Sequence, residues 1–208
     1  MTGGRRSGWP RFCSSTRRLS ANIAVWGDSI TVPVAANLQA QMSNRTVFDG
    51  SGIGETSGQV AARALSDAGR RSWITVIWCG HNNFQLGGVD RIVSDIASIV
   101  NGLAASNGNR FVVVSLDNPD TPTGIRGGSQ YTQTLQINAQ MQSMWPNNFL
   151  DARTALVAHY NPADPTDVQD HNNDVIPSSL RYDEIHFRQE GSSFAASLIR
   201  DFILSKGW

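Results

Sequence analysis

Short apolar runs alternate along the chain with stretches in which apolar residues recur every three or four positions. NIAVWG (22–27) is a short apolar run ended by Gly27 and reads as a buried parallel strand, and VAANLQAQM (34–42) follows as a helix. TVF (46–48) predicts a second short strand, the Gly- and Ser-rich DGSGIGETSG (49–58) a turn, and QVAARAL (59–65) a helix. WITVIWC (73–79), rich in β-branched and aromatic residues, carries the strongest strand signal. Ile92, Val93, Ile96, Ile99, Val100 and Leu103 recur at helical spacing, and FVVVSL (111–116) predicts a fourth strand. NPDTPTGIRGG (118–128) is a loop by its Pro, Gly and Asp content. Residues 129–144 read as a helix with Leu135, Asn138 and Met141 on one side, and FLDA (149–152) as a fifth strand. Residues 161–185 are long and polar, with Pro162, Pro165 and Pro177. Phe194, Ala195, Leu198, Ile199, Phe202 and Ile203 mark a terminal amphipathic helix.

Repeated strand–helix alternation predicts one parallel sheet covered on both faces, a three-layer α/β/α architecture. The chain's 208 residues suit one such unit over residues 21–208, with no internal repeat. Residues 1–20 stand apart, holding five arginines (5, 6, 11, 17 and 18) and no acid, and are expected to form a flexible arm. The arm has no apolar core of signal-peptide length, although its Arg- and Ser-rich start resembles a transit peptide. Basic and acidic residues balance at 17 each, and without the arm 12 basic residues face 17 acidic ones. That balance offers no basic face for nucleic acid. No segment approaches membrane-spanning length, so the expectation is a soluble protein, with the cytoplasm favoured. Cys13 and Cys79 make no disulfide framework; Cys79, after WITVIW, reads as a buried thiol. Trp26, Trp73 and Trp78 read as core residues.

In open parallel sheets functional groups gather beyond the strand ends. The first strand ends in Gly27-Asp28-Ser29, the second leads into Gly52-Ile53-Gly54-Glu55, and the third ends in Gly80-His81-Asn82-Asn83. Asp183-Glu184-Ile185-His186 precedes the last helix. Together these places hold a hydroxyl, an imidazole, a carboxylate and small or amide donors, the set that acyl transfer needs. Taken singly, each has a plain alternative. Ser29 reads as a helix N-cap as readily as a nucleophile. Asp183 and His186, three apart, suit a surface turn, or a carboxylate holding Nδ1–H so that Nε2 faces a serine. Gly54 fits a flexible turn or a close-approach backbone N–H, and Asn82 a helix cap or an oxyanion donor. His81, His159 and His171 are rivals for the base. His171, among Asp167, Asp170 and Asp174, is expected to face solvent, and that cluster lacks a recognised metal-ligand spacing.

The set GDS, G-E-T-S-G, G-x-N and D-x-x-H, in this order over nearly the whole chain beyond the arm, closely resembles the SGNH, or GDSL-like, hydrolase family. The resemblance implies a flavodoxin-like, five-stranded parallel sheet. It implies a serine esterase with Ser29 as nucleophile, His186 as base and Asp183 orienting it. The Ser29 and Gly54 N–H groups and the Asn82 side chain would form the oxyanion hole, with no cofactor or metal. Thioesterase or acyltransferase chemistry on the same residues, or a non-catalytic binding domain, are the alternatives. Ile30 stands where the family commonly has Leu, and Asn83 where it often has Asp, which predicts altered local hydrogen bonding. His81 sits at the variable position, where a loop role outweighs substrate contact. The polar segments 117–128 and 161–182 are expected to border an open, hydrophilic cleft. That cleft would suit small acyl groups such as acetyl, on a small molecule or a carbohydrate.

Overall fold

The computed structural model describes residues 19–208. The proposed arm, residues 1–20, and Cys13 fall outside that range except for Leu19 and Ser20.

Five parallel strands form one sheet in the order β2-β1-β3-β4-β5. They are β1 (Ile23–Gly27), β2 (Val47–Ser51), β3 (Ile74–Trp78), β4 (Phe111–Val114) and β5 (Phe149–Leu150). The central strands β1, β3 and β4 are buried on both faces, which is why they read as unbroken apolar runs. The edge strands β2 and β5 are only partly buried, and their sequence signals were the shortest. Side chains alternate along each strand. Ile23, Val25, Ile74, Val76, Trp78, Val112 and Val114 enter one core, while Ala24, Trp26, Ile77, Phe111 and Val113 enter the other.

Helices α1 (Thr31–Gln41), α6 (Ala152–Ala158) and α8 (Gln189–Ser205) cover the first face. Helices α2 (Ser57–Ser66), α4 (Ile92–Asn101) and α5 (Ser129–Met144) cover the second. The three-layer α/β/α fold and the five-stranded parallel sheet are as expected. Each fully buried Ile, Leu or Val contributes about 1.5–3 kcal/mol relative to exposure, so the two cores dominate stability. Trp78 and Trp26 are core residues, and Trp73 packs partly buried at the edge of the second core.

Three readings from the pattern need correction. Helix α5 has the predicted bounds but turns Thr134, Ile137, Asn138 and Met141 inward, leaving Leu135 exposed. A helical face spaced three and four apart from Met141 takes in Ile137 and Asn138, and Leu135 falls outside it. Helix α1 begins at Thr31, directly after the Ser29 turn, three residues before the predicted start. The polar stretch 161–185 contains α7 (Pro165–Asn172), and α6 precedes it. Asp164 caps α7 by accepting from Thr166 N at 2.8 Å, with Pro165 in the first turn, and Asp151 caps α6 from Thr154 N at 3.1 Å. The Asp-Pro and Asp-x-x-Thr signals were present, but neither helix has a sustained apolar stripe to announce it.

Candidate active site

With β1 beside β3 and the order reversing between them, the crevice at their C-terminal ends is where this topology gathers function. A cleft of about 600 Å³ lies there, and Ser29, Gly54, Asn82 and His186 all line it. Ser29 sits on the turn between Gly27 and Thr31. Asp28 shapes that turn: its Oδ1 accepts from Ile30 N at 3.1 Å and its carbonyl from Thr31 N at 3.2 Å.

The facing wall is a narrow loop closed by the Arg181–Phe187 antiparallel bridge, with Tyr182 N donating to His186 O at 2.9 Å. Asp183 folds back inside it. Its Oδ1 accepts from the backbone N–H of Ile185 at 2.9 Å and of His186 at 2.7 Å. Its Oδ2 lies 2.8 Å from His186 Nδ1. A carboxylate only accepts, so the Nδ1 proton belongs to this bond and Nε2 is left as an acceptor. Ser29 Oγ lies 2.9 Å from that Nε2. Burial works against ionisation of Asp183, but the two backbone donors and the His186 ring outweigh it and hold the carboxyl below the usual range. Tyr182 stacks beside the imidazole, with centroids 5.7 Å apart. Buried Arg181 anchors the loop, donating to Asp183 O at 2.9 Å while its Nη2 pairs with Asp120 and Asp170 at 2.6 and 3.1 Å.

Among the described residues neither Ser29 N nor Gly54 N makes a hydrogen bond. Gly54 has φ of +75°, a conformation that favours glycine and turns its amide in a way that a residue with Cβ resists. Asn82 does not cap the short α3 (Asn83–Leu86); its Nδ2 donates to Glu55 O at 2.9 Å, linking the β2 and β3 loops. Glu55 is itself held by Arg63 Nε and Nη2 at 2.8 and 2.7 Å. Asn83 uses both ends of its amide, accepting from Ser57 N at 2.8 Å and donating to Gly88 O at 2.8 Å. An aspartate could not make the second bond.

The other histidines lie elsewhere or act differently. His159 stacks on Phe194 of α8 at 4.0 Å. His171, expected to face solvent among acidic residues, is half-buried on α7. It stacks on Tyr160 at 4.1 Å, and Asp167 and Asp170 are buried. Asp167 accepts from Asn161 N, Ser179 N and Ser179 Oγ at 2.9, 3.0 and 2.6 Å, so it serves the chain's own backbone. Among the described residues no group of three or more His, Cys, Asp or Glu side chains is arranged to hold a metal ion. Segment 161–182 supplies no lining residue to the cleft; its α7 instead braces the base of the Asp183 loop, Asp170 pairing with Arg181 at 3.1 Å. Pro119, Thr121 and Thr123 of the 117–128 loop do line it. So do Ile30, Ile53 and Ile185, and the cleft is therefore mixed in character where a hydrophilic one was expected. His81 is buried between Asp28 and Asp117 and presents an edge to the cleft, so it is more than a loop residue. Sequence spacing gave no sign of the third partner, 36 positions away.

No family model matches the chain. A curated tail spike protein of Salmonella phage epsilon15 is 30% identical over 151 residues, an alignment taking in 66% of this chain. The chain spans 13% of that phage protein's length. Solved structures match over most of their length. The C-terminal catalytic domain of a peptidoglycan O-acetyltransferase from Streptococcus pneumoniae aligns at TM-score 0.65 and 16% identity, covering 91% of this chain and 96% of that one. A GDSL-like lipase from Bacteroides thetaiotaomicron aligns at TM-score 0.66 and 17% identity, over 89% and 88% of the two chains. The fold is that of the GDSL-like lipases. An acetyl xylan esterase shares this GDSL-like fold at TM-score 0.67 and 13% identity, covering 86% of this chain and 98% of that one. No helix among the described residues is long and apolar enough to cross a membrane.

Proposed function

We propose that the chain is a serine ester hydrolase of the SGNH type. The observation that carries this reading is the unbroken line from Asp183 Oδ2 to His186 Nδ1 (2.8 Å) and from His186 Nε2 to Ser29 Oγ (2.9 Å) at the rim of the cleft. Ser29 Oγ attacks the ester carbonyl as Nε2 takes its proton, and Asp183 stabilises the imidazolium. The oxyanion forms near Ser29 N–H, Gly54 N–H and Asn82 Nδ2. His186 returns the proton to the leaving alcohol. Water then attacks the acyl carbon as His186 takes its proton, the bond from that carbon to Ser29 Oγ breaks, and His186 returns the proton to Oγ as the acid leaves. The scheme calls on no metal or organic cofactor.

The substrate we infer is a short acyl ester, acetyl above all, on a small molecule or a carbohydrate. Ile30, Ile53 and Ile185 offer a limited apolar surface, while Gln85, Gln130 and Glu184 give the cleft a hydroxyl-compatible rim. The likeness in fold to an acetyl xylan esterase supports this choice. Acyl transfer to a second alcohol is the alternative supported by the O-acetyltransferase likeness. The test is a chain-length series of p-nitrophenyl esters with acetylated sugars, on wild type and Ser29→Ala, with and without a competing alcohol. Acetyl esters turn over fastest, and Ser29→Ala loses at least about 10³-fold in kcat with its melting temperature unchanged. Equal or faster hydrolysis of long-chain esters contradicts the substrate, and wild-type turnover in Ser29→Ala contradicts the nucleophile.

A further inference from the structure

Behind the Ser29 turn runs a buried polar chain that the scheme above leaves unused. Asp28, His81 and Asp117 follow β1, β3 and β4, three adjacent strands, and are 0%, 8% and 1% exposed. His81 Nδ1 lies 3.2 Å from Asp28 Oδ2, and Asp117 N donates to His81 Nε2 at 3.3 Å.

We propose that His81 is a positioning residue for ester hydrolysis, locking the Ser29 turn to the loop that carries Asn82. The inference rests on the ester-hydrolase reading. Asp28 grips the nucleophile's turn through Ile30 N and the β3 loop through Gly80 N at 3.4 Å, and His81 adds the side-chain contact between the two. Two neighbours fix which way the ring works: the Asp28 carboxylate can only accept, and the Asp117 N–H, in the loop after β4, can only donate. Because Asp117 N–H must donate, Nε2 is an acceptor, and Nδ1 carries the proton toward Asp28. A neutral imidazole is suited to this place because it offers one donor and one acceptor on opposite edges. The carboxylate oxygens of Asp117 have no hydrogen-bond partner among the described residues. Burial pushes this carboxyl up to about 7, against the pull of His81 and Arg153 and helped by Asp28 and Asp151. Burial also disfavours an imidazolium at His81, but the Asp28 and Asp117 charges outweigh it and raise its pKa. A second ring proton would sit on Nε2 and displace Asp117 N–H, so the full bridge forms above the raised His81 pKa, while the Nδ1–H contact with Asp28 is kept in both states.

The geometry matters because catalytic groups lose effect steeply with misplacement, on the order of 10²-fold per ångström. The test is steady-state kinetics with p-nitrophenyl acetate on three variants. His81→Phe keeps the ring volume without its nitrogens; kcat falls roughly 10- to 100-fold while KM stays within about threefold. His81→Asn retains a donor where Nδ1 stood and recovers to within about threefold of wild type. His81→Gln places its amide toward Asp117, leaves Asp28 without its side-chain donor and stays low. Equal loss in all three variants would make the role one of packing, and a rise in KM alone would make it substrate contact; either overturns the proposal. If His81→Phe does not fold, the Asn and Gln variants decide between the same outcomes. Ester turnover that survives in Ser29→Ala would instead overturn the reading underneath, whatever the His81 variants do.

Discussion

Two aspartates near Ser29 meet opposite fates. Asp183 accepts two backbone N–H groups and a ring N–H, and is held ionised despite burial. Asp117, fully enclosed and without a partner for either oxygen among the described residues, is pushed from 3.8 to about 7. Between about pH 4 and pH 7 the folded protein therefore keeps a proton that the unfolded chain has released, so the Asp117 contribution to stability falls as pH rises through that window. Asp117→Asn, which retains the backbone N–H to His81, is more stable than wild type at pH 8 by on the order of a few kcal/mol and melts higher, and the difference narrows toward pH 4.5. Thermal melts at the two pH values check this; an identical difference at both would contradict it. The Asp183–His186 pairing was legible because a three-residue spacing carries its own turn geometry. The Asp28–His81–Asp117 bridge was not, since it joins three strand ends that only the sheet order brings side by side.

Among the elements, α8 does more than cover the sheet. Its Gly191 lies against the Leu180 carbonyl, where an added Cβ would come within 2.1 Å of the oxygen. This close approach seats the helix on the segment that leads through Arg181 into Asp183 and His186. Gly191→Ala must push the two apart, at a cost of about 1–3 kcal/mol, or roughly 2–10 °C in melting temperature. Because the displaced segment carries the proposed base, kcat falls as well. Calorimetry and ester kinetics measure the pair, and a variant unchanged in both would show that the contact yields without consequence. The central strands and helices α4 and α8 were legible from their apolar patterns, whereas α5, with two polar residues on its buried face, was placed but its face misread. Helices α6 and α7 were not, because α7 buries aspartates that serve neighbouring N–H groups, which composition reads as solvent-facing loop.

On the scale of the molecule, the sheet order places the ends of β1, β2 and β3 around one crevice, and the loop before α8 closes it. Motifs dispersed over more than 150 positions meet there, with Ser29 and His186 in contact. Sequence order alone suggested that meeting through a family resemblance, and the same layered fold recurs in lipases and esterases of 13–17% identity. What the sequence did not reveal was the cleft's mixed character, since Ile53 and Ile185 reach it from loops dominated by small and polar residues. The central claim is that Ser29 is a nucleophile activated by His186. Its most direct test is treatment of the wild-type protein with a fluorophosphonate, followed by peptide mapping of the adduct by mass spectrometry. A single phosphonyl group on Ser29, absent from Ser29→Ala and formed far more slowly in His186→Ala, is the predicted result; no adduct, or one on another residue, would contradict it.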